Sequence, residues 1–385
     1  MMFTIDDKTL TYSLDVLNQD EFTVSSSPTP YTVSFHDAEN PCDAINALLA
    51  TNPKNILLID EKVFALYGKD INHPNERIFK APALERFKTM QGVMDLVALL
   101  YQQEFTKKET LVVVGGGIIQ DIGALVGALY KRGIKWVHFP TTVLAMADSC
   151  IGGKAGVNYE QAKNQLALFS SPHAVVINPH FINTLEERDV KSGLGEILKL
   201  CITGGPELVK LFADEIQHTK ALTPVHLKKL ISVALMVKKA VIEDDEFELN
   251  IRKALNYGHT IGHAIEAMSD YEIPHGIAVI VGMMLVNQLA VVEGYLSSKE
   301  NAEMNRLCLL LLDDKTKRLL LNINTNDLLD YLKQDKKVAG DSITFVLLKK
   351  PGHLLFHKLT MNALLQQTIA TTIQGLFHES HILVL

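Results

Sequence analysis

"TLVVVGGGIIQDIGALVGALYKRG" (residues 110–133) runs from a β-branched apolar stretch through three glycines into a helix-length segment that carries Asp121. An apolar run without alternation is the mark of a strand covered on both faces, as in a parallel sheet. Glycines let a backbone come close to a phosphate, and the amide groups that open a helix favour an anion. The spacing is not GxGxxG, and no acid follows at the usual distance for a ribose hydroxyl. On this stretch alone, a tight turn without a ligand explains the residues as well as a nucleotide loop does. The next strand shifts the balance. "FPTT" (139–142) places Thr141 and Thr142 at its C-terminal end, where open parallel sheets bind ligands.

Similar strands flank this unit on both sides. "NILLID" (55–60), "KWVHFPTT" (135–142) and "AVVIN" (174–178) alternate with helix-length segments such as "TMQGVMDLVALLYQQ" (89–103). After Pro179 the period becomes helical, and late in the chain "SITFVLL" and "HLLFHKL" flank "KKPG" (349–352) as one hairpin. The expected fold is α/β: a parallel-sheet domain over residues 1–182, with a lead of about thirty residues ending in "SSSPTP", then a mainly helical domain over 183–385.

Composition narrows the function. The chain has 385 residues, 47% hydrophobic and 21% charged, which is enough apolar material for two cores. A net charge of −7 with no basic run argues against a nucleic-acid partner. "IAVIVGMMLV" (277–286) stops at Asn287, about half the roughly 20 residues that a membrane span needs, so no membrane partner is expected. The first residues, "MMFTIDDKTL", are acidic where a signal peptide would be basic. Four cysteines without paired spacing give neither a disulfide frame nor a zinc knuckle. The expectation is a cytoplasmic globular protein.

"LNYGHTIGHAIE" (255–266) raises a metal question by setting His259 and His263 four residues apart. One helical HxxxH is a weak signal, because a histidine on a helix face is more often packed or solvated. Company strengthens it. "IPHGIAV" places His275 before an apolar helix, and "SGLGEILK" places Glu196 behind glycines. Two imidazoles and a carboxylate suit Zn²⁺ with one position open; spacing does not say which two histidines bind. Charged residues also recur among apolar neighbours: Asp148 and Lys154 in "DSCIGGKAGVN", Lys163 and Asn164 in "QAKNQLALF", and Lys238, Glu248, Arg252 and Asn256 on the approach to His259. Singly each reads as a solvated charge; together they describe a pocket for a small polyanionic substrate.

At this point several motifs match one family in its own order. "ERFK", "GGGIIQDI", "YKRG", "PTTVLAMADSCIGGKAGVN", "AKNQLALF", "SGLGEILK", "LNYGHTIGHAIE", "HGIAV" and "DKKVAG" resemble the sugar phosphate cyclases, and within them the dehydroquinate synthase group, over residues 55–350. The resemblance implies a Rossmann-like NAD domain, a helical metal and substrate domain, and a reaction in the cleft between them. By motif position the metal ligands would be Glu196, His259 and His275, for Zn²⁺ or alternatively Co²⁺, with His263 turned to the substrate. NAD contacts would come from Asp60, Glu85, Lys88, Gly116, Gly117, Asp121, Thr141, Thr142, Asp148, Lys154, Lys163, Phe181 and Thr184. The substrate would meet Lys154, Asn164, Lys199, Lys238, Glu248, Arg252, Asn256, His263 and Lys336 or Lys337. Arg132 of "YKRG" matches the family residue that reaches into a partner subunit, which implies a homodimer.

In that family NAD⁺ transiently oxidises a metal-bound secondary alcohol, phosphate leaves by β-elimination, the hydride returns, the ring opens, and an aldol step closes a carbocycle. Lys238 and Arg252 would hold the carboxylate of 3-deoxy-arabino-heptulosonate 7-phosphate. Three positions depart from the dehydroquinate pattern: Gln120 stands for a usual glycine, Ala155 for threonine and Ile277 for glutamate. Gln120 and the N-terminal lead resemble cyclases acting on sedoheptulose 7-phosphate, whereas Asn256 and His263 fit the dehydroquinate group; 2-deoxy-scyllo-inosose synthases share the scaffold. A metal-dependent polyol dehydrogenase would need no lysine-rich phosphate cluster. A non-catalytic paralogue would be expected to have lost Glu196, Lys154 or Arg252.

Overall fold

The strand ending in the triple glycine lies inside a seven-stranded sheet. The strands are ordered Glu21–Val24, Tyr31–Phe35, Ala174–Ile177, Lys135–Pro140, Thr110–Gly115, Ile56–Asp60 and Ile78–Ala81. Only the first pair is antiparallel; the remaining pairs are parallel. Ile56–Asp60 and Thr110–Gly115 are buried at every position, which is why their sequences do not alternate. Helices Met90–Gln102 and Gly117–Leu129 bury Val93, Leu96, Ile122 and Leu125 in one cluster with Leu58, Val113 and Trp136. The computed structural model describes residues 1–160, 162–216, 222–333, 338–339, 342–360 and 362–378.

Two compact units result, and they interleave along the chain. One comprises Leu14–Glu186 with Lys220–Phe247; the other comprises Met1–Ser13, Glu187–Thr219 and Glu248–Leu385. A single boundary after residue 182 lies close to one of the crossings and omits the rest. The N-terminal lead is the reason. Met2–Ile5 pairs in parallel with His353–Thr360, and with Lys8–Thr11 it completes a five-stranded sheet in the second unit. Glu21–Val24 instead adds an edge strand to the first unit's sheet. Helix Pro224–Asp244 belongs to the first unit although its sequence follows the helical half.

The second unit is built around helix His275–Val292. It runs past Asn287, where the apolar stretch was expected to stop, because Asn287 is buried and accepts a 2.5 Å hydrogen bond from the Tyr257 hydroxyl. At 18 residues it is long and apolar enough to cross a membrane, yet 78% of that window is buried inside the protein. It is a core helix. The expected hairpin is present, with Phe345 opposite His357 in an antiparallel pair.

Candidate active site

Three helices bring the metal candidates together in the second unit. Glu196 lies on Glu187–Gly204, His259 and His263 on His259–Met268, and His275 opens His275–Val292. Glycines let these backbones touch. A Cβ on Gly195 would stand 2.5 Å from the Gly276 carbonyl oxygen, and one on Gly282 would collide with the Gly258 carbonyl. The glycines of "SGLGEI", "YGHTIGH" and "HGIAVIVG" are therefore spacers that set the distance between ligand-bearing helices.

Glu196 Oε1 lies 3.4 Å from both His259 Nε2 and His275 Nε2. It is buried and accepts no well-formed hydrogen bond among the described residues. The far nitrogens are already engaged: His259 Nδ1 lies 3.2 Å from the Tyr257 carbonyl oxygen, and His275 Nδ1 lies 3.1 Å from Glu266 Oε2. Such partners orient an imidazole and leave Nε2 to a metal. An orphaned carboxylate oxygen facing two oriented imidazoles fits a divalent cation of the zinc type. His263 is close as well. Its ring centroid is 5.3 Å from that of His259 and 5.6 Å from that of His275, and ligand atoms of the three histidines all lie within 4.8 Å of one another. His263 is the exposed member of the group.

The three ligand candidates differ in their electrostatics. Burial raises Glu196, but Lys199, His259 and His275 outweigh it and hold the carboxyl well below its usual range. Burial and Lys199 push His259 down. Burial also opposes charge on His275, yet the neighbouring Glu196 and Glu266 carboxylates lift it to about 10. Lys199 is 2% exposed and ion-paired with Glu196. Arg252 is equally buried, and Asn256 donates to Glu248 at 3.2 Å, so these substrate candidates share the second unit.

The cofactor candidates gather in the first unit. Gly116 precedes helix Gly117–Leu129 without any side-chain cap, so the opening amide groups are available to an anion. A Cβ on Gly116 would stand 3.0 Å from Thr142, and the Thr141 amide donates to the Gly115 carbonyl at 3.2 Å. Lys88 Nζ lies 2.5 Å from Asp121 and donates to Asn164 Oδ1 at 2.7 Å. Asn158 donates to Glu85 at 2.8 Å and accepts from the Asn164 amide. Burial raises Asp121 to about 6, although Lys88 works against it. A bare helix start, a closely packed glycine turn and a flanking lysine together fit a dinucleotide phosphate.

Not every expected residue joins these clusters. Asp60 caps helix Glu61–Tyr67 by accepting from the Lys62 amide at 2.9 Å. Phe181 packs edge-on against Tyr67 at 5.5 Å, and Thr184 shares a 2.9 Å hydrogen bond with the Tyr67 hydroxyl. Asn164, assigned to the substrate, sits with the cofactor candidates through Lys88. Lys238 pairs with Asp148 at 3.0 Å inside the first unit, whereas Arg252 belongs to the second. Lys154 and Lys163 lie on the two-stranded ribbon Lys154–Tyr159 and Ala162–Phe169, which the sequence reading missed. Arg132 is exposed in a turn where Lys131, Arg132 and Gly133 all have positive φ. Lys336 and Lys337 lie outside the described residues. Glu266, behind His275, was also missed; it stands seven residues after His259, on the same helix face, and that spacing was available in the sequence.

The chain matches the family model "3-dehydroquinate synthase N-terminal" over residues 78–192 and "3-dehydroquinate synthase C-terminal" over residues 193–338. It is 36% identical to the 3-dehydroquinate synthase of Alkaliphilus metalliredigens over 309 residues, covering 78% of this chain and 85% of that protein. The Pelagibacter ubique 3-dehydroquinate synthase is 32% identical over 344 residues, covering 86% and 91%. Among solved structures, a 2-deoxy-scyllo-inosose synthase complexed with carbaglucose-6-phosphate, NAD⁺ and Co²⁺ superposes with TM-score 0.77 at 21% identity, covering 92% of this chain and 99% of its own. The 2-epi-5-epi-valiolone synthase of Streptomyces hygroscopicus with NAD⁺ and Zn²⁺ bound gives 0.72 at 24%, with the same coverage. These likenesses establish the fold, and the family models with the sequence identities establish the kinship: the chain belongs to the 3-dehydroquinate synthase family.

Proposed function

We propose that the protein converts 3-deoxy-arabino-heptulosonate 7-phosphate to 3-dehydroquinate and phosphate, as a carbon–oxygen lyase that depends on NAD and a divalent metal. The observation that carries this reading is the buried, orphaned Glu196 Oε1 aimed between two oriented histidines, in a chain of this family. Glu196, His259 and His275 would hold the metal, and Gly116, Gly117, Thr142 and Lys88 would hold the dinucleotide. Two solved relatives of the fold carry NAD⁺ with Co²⁺ or Zn²⁺, which supports both groups. When bound, the dinucleotide supplies reversible hydride exchange and the ion supplies Lewis acidity.

The chain's own residues do the rest. Arg252 offers a planar fork suited to a carboxylate, and its burial makes that interaction strong. Lys199, Asn256 and His263 provide donors to a phosphate whose charge grows as it leaves. Lys238 is held through its ion pair with Asp148. The homodimer belongs to the same proposal, supported by an exposed Arg132 on strained backbone. So does a reducing, cytoplasmic location, supported by four buried free thiols.

Gln120 favours a second reading, a cyclase acting on sedoheptulose 7-phosphate. One experiment separates them. Purified enzyme with NAD⁺ and Zn²⁺ is offered the carboxylated heptulosonate, sedoheptulose 7-phosphate and glucose 6-phosphate, and phosphate release is measured. Release from the heptulosonate alone is expected; release from sedoheptulose 7-phosphate instead would overturn the substrate assignment.

A further inference from the structure

Gln120 is 3% exposed and follows the glycine turn on helix Gly117–Leu129. Its side chain makes two reciprocal hydrogen bonds with one residue: Nε2 donates to the Ser149 carbonyl at 2.7 Å, and Oε1 accepts from the Ser149 hydroxyl at 2.7 Å. Ser149 ends a π-helical turn, Ala145–Ser149, and π turns concentrate at functional sites. Carbonyls at a helix end lack internal donors, so Gln120 supplies the one that Ser149 needs. Ser149 also faces the glycine turn: a Cβ on Gly117 would sit 3.8 Å from its hydroxyl oxygen. From the other side, Lys238 donates to the Asp148 carbonyl at 2.6 Å and pairs with the Asp148 carboxylate.

We propose that Gln120 and Ser149 form a positioning clamp that sets the width of the dinucleotide cradle, between the glycine turn and the turn carrying Asp148. The proposal rests on the cofactor reading above. A glycine at position 120, usual in the dehydroquinate group, could make neither bond. The clamp would therefore give this chain a stiffer cradle than the family pattern provides. Gln120 touches no ligand in this scheme; it acts through Ser149.

Gln120→Met keeps the volume and removes both hydrogen bonds, whereas Gln120→Gly removes the volume as well. The clamp predicts that NADH binds about tenfold more weakly to either variant by calorimetric titration, since each takes the Gln120 donor from the partly buried Ser149 carbonyl. Ser149→Ala, which keeps the bond to the carbonyl, should weaken binding by less. In Gln120→Met the KM for NAD⁺ should rise while kcat at saturating NAD⁺ and metal content stay unchanged, and amide exchange over residues 145–150 should quicken without nucleotide. A role in packing alone would let Gln120→Met bind NADH as the wild type does, and that result overturns the clamp while leaving the cofactor reading intact. A wild-type protein that binds no NADH would remove both.

Discussion

His263 and His275 sit in one cluster and are expected to behave differently. Glu196 Oε1 approaches His275 and His259, whereas His263 is the exposed histidine of the three. His275→Ala should lose about one bound divalent ion per chain, read by metal analysis of dialysed protein. His263→Ala should retain the ion and lose turnover about a hundredfold, in the range for removing a proton-transfer or charge-stabilising group. The reverse pattern would make His263 the ligand. The sequence supplied all of these residue types, but one helix with an HxxxH spacing could not say which nitrogen would face Glu196, because that depends on how a second and third helix cross it. Two other residues give a pH signature in the first unit. Burial lowers His138 to about 4 and raises Asp121 to about 6. His138 stays neutral in the folded chain while the unfolded chain takes up a proton, so its contribution is lost as pH falls from 6.5 towards 4. Asp121 keeps its proton longer when folded, so stability falls as pH rises from 3.8 through about 6. Urea unfolding of His138→Gln, minus wild type, should therefore rise as pH falls; for Asp121→Asn the difference should rise with pH, each by on the order of 3 kcal/mol. Flat difference curves would contradict these assignments.

At the scale of elements, the buried parallel strands were legible because burial on both faces leaves an unbroken apolar run. Ile56–Asp60, Thr110–Gly115, Lys135–Pro140 and Ala174–Ile177 all fell where such runs predicted. The ribbon Lys154–Tyr159 with Ala162–Phe169 did not, because its second strand is mostly exposed and carries lysine, asparagine and glutamine where an apolar stripe would be expected. Likewise Met2–Ile5 and Lys8–Thr11 are four residues each and show the core few side chains. The glycines of the apolar helix were visible as letters, but their role needs the neighbouring backbone. A methyl group on Gly276 would collide with the Ser192 carbonyl. Gly276→Ala should thus force helices His275–Val292 and Glu187–Gly204 apart, at a cost of about 3 kcal/mol. Because His275 and Glu196 ride on those helices, metal content should fall together with the denaturation midpoint. A variant with full metal content and unchanged midpoint would show that the close approach does not set the site.

For the whole molecule, the order of the chain misleads about its division. Periodicity changes once, near Pro179, and so implies one cut. The units instead exchange segments, since Met1–Ser13 folds with Glu248–Leu385 and helix Pro224–Asp244 with the sheet before it. Local patterning cannot report this, because a short strand looks the same whichever sheet it joins. The interleaving makes a testable claim about the N-terminal segment. Phe3, Ile5, Leu10 and Tyr12 are all buried, and the Tyr12 hydroxyl donates to the Gly204 carbonyl at 3.0 Å, at the end of the helix that bears Glu196. Burying each such side chain contributes about 1.5–3 kcal/mol, an upper range because the unfolded chain is partly compact. Deleting residues 1–13 removes all four, together with the parallel pairing to His353–Thr360. The loss falls on the unit that holds Glu196, His259 and His275, and not on the unit that holds the glycine turn. The truncated protein should therefore lose metal content and show a lowered midpoint for the second unit, while NADH titration still finds a site of near wild-type affinity. Loss of NADH binding with metal content preserved would place the N-terminal strands with the wrong unit.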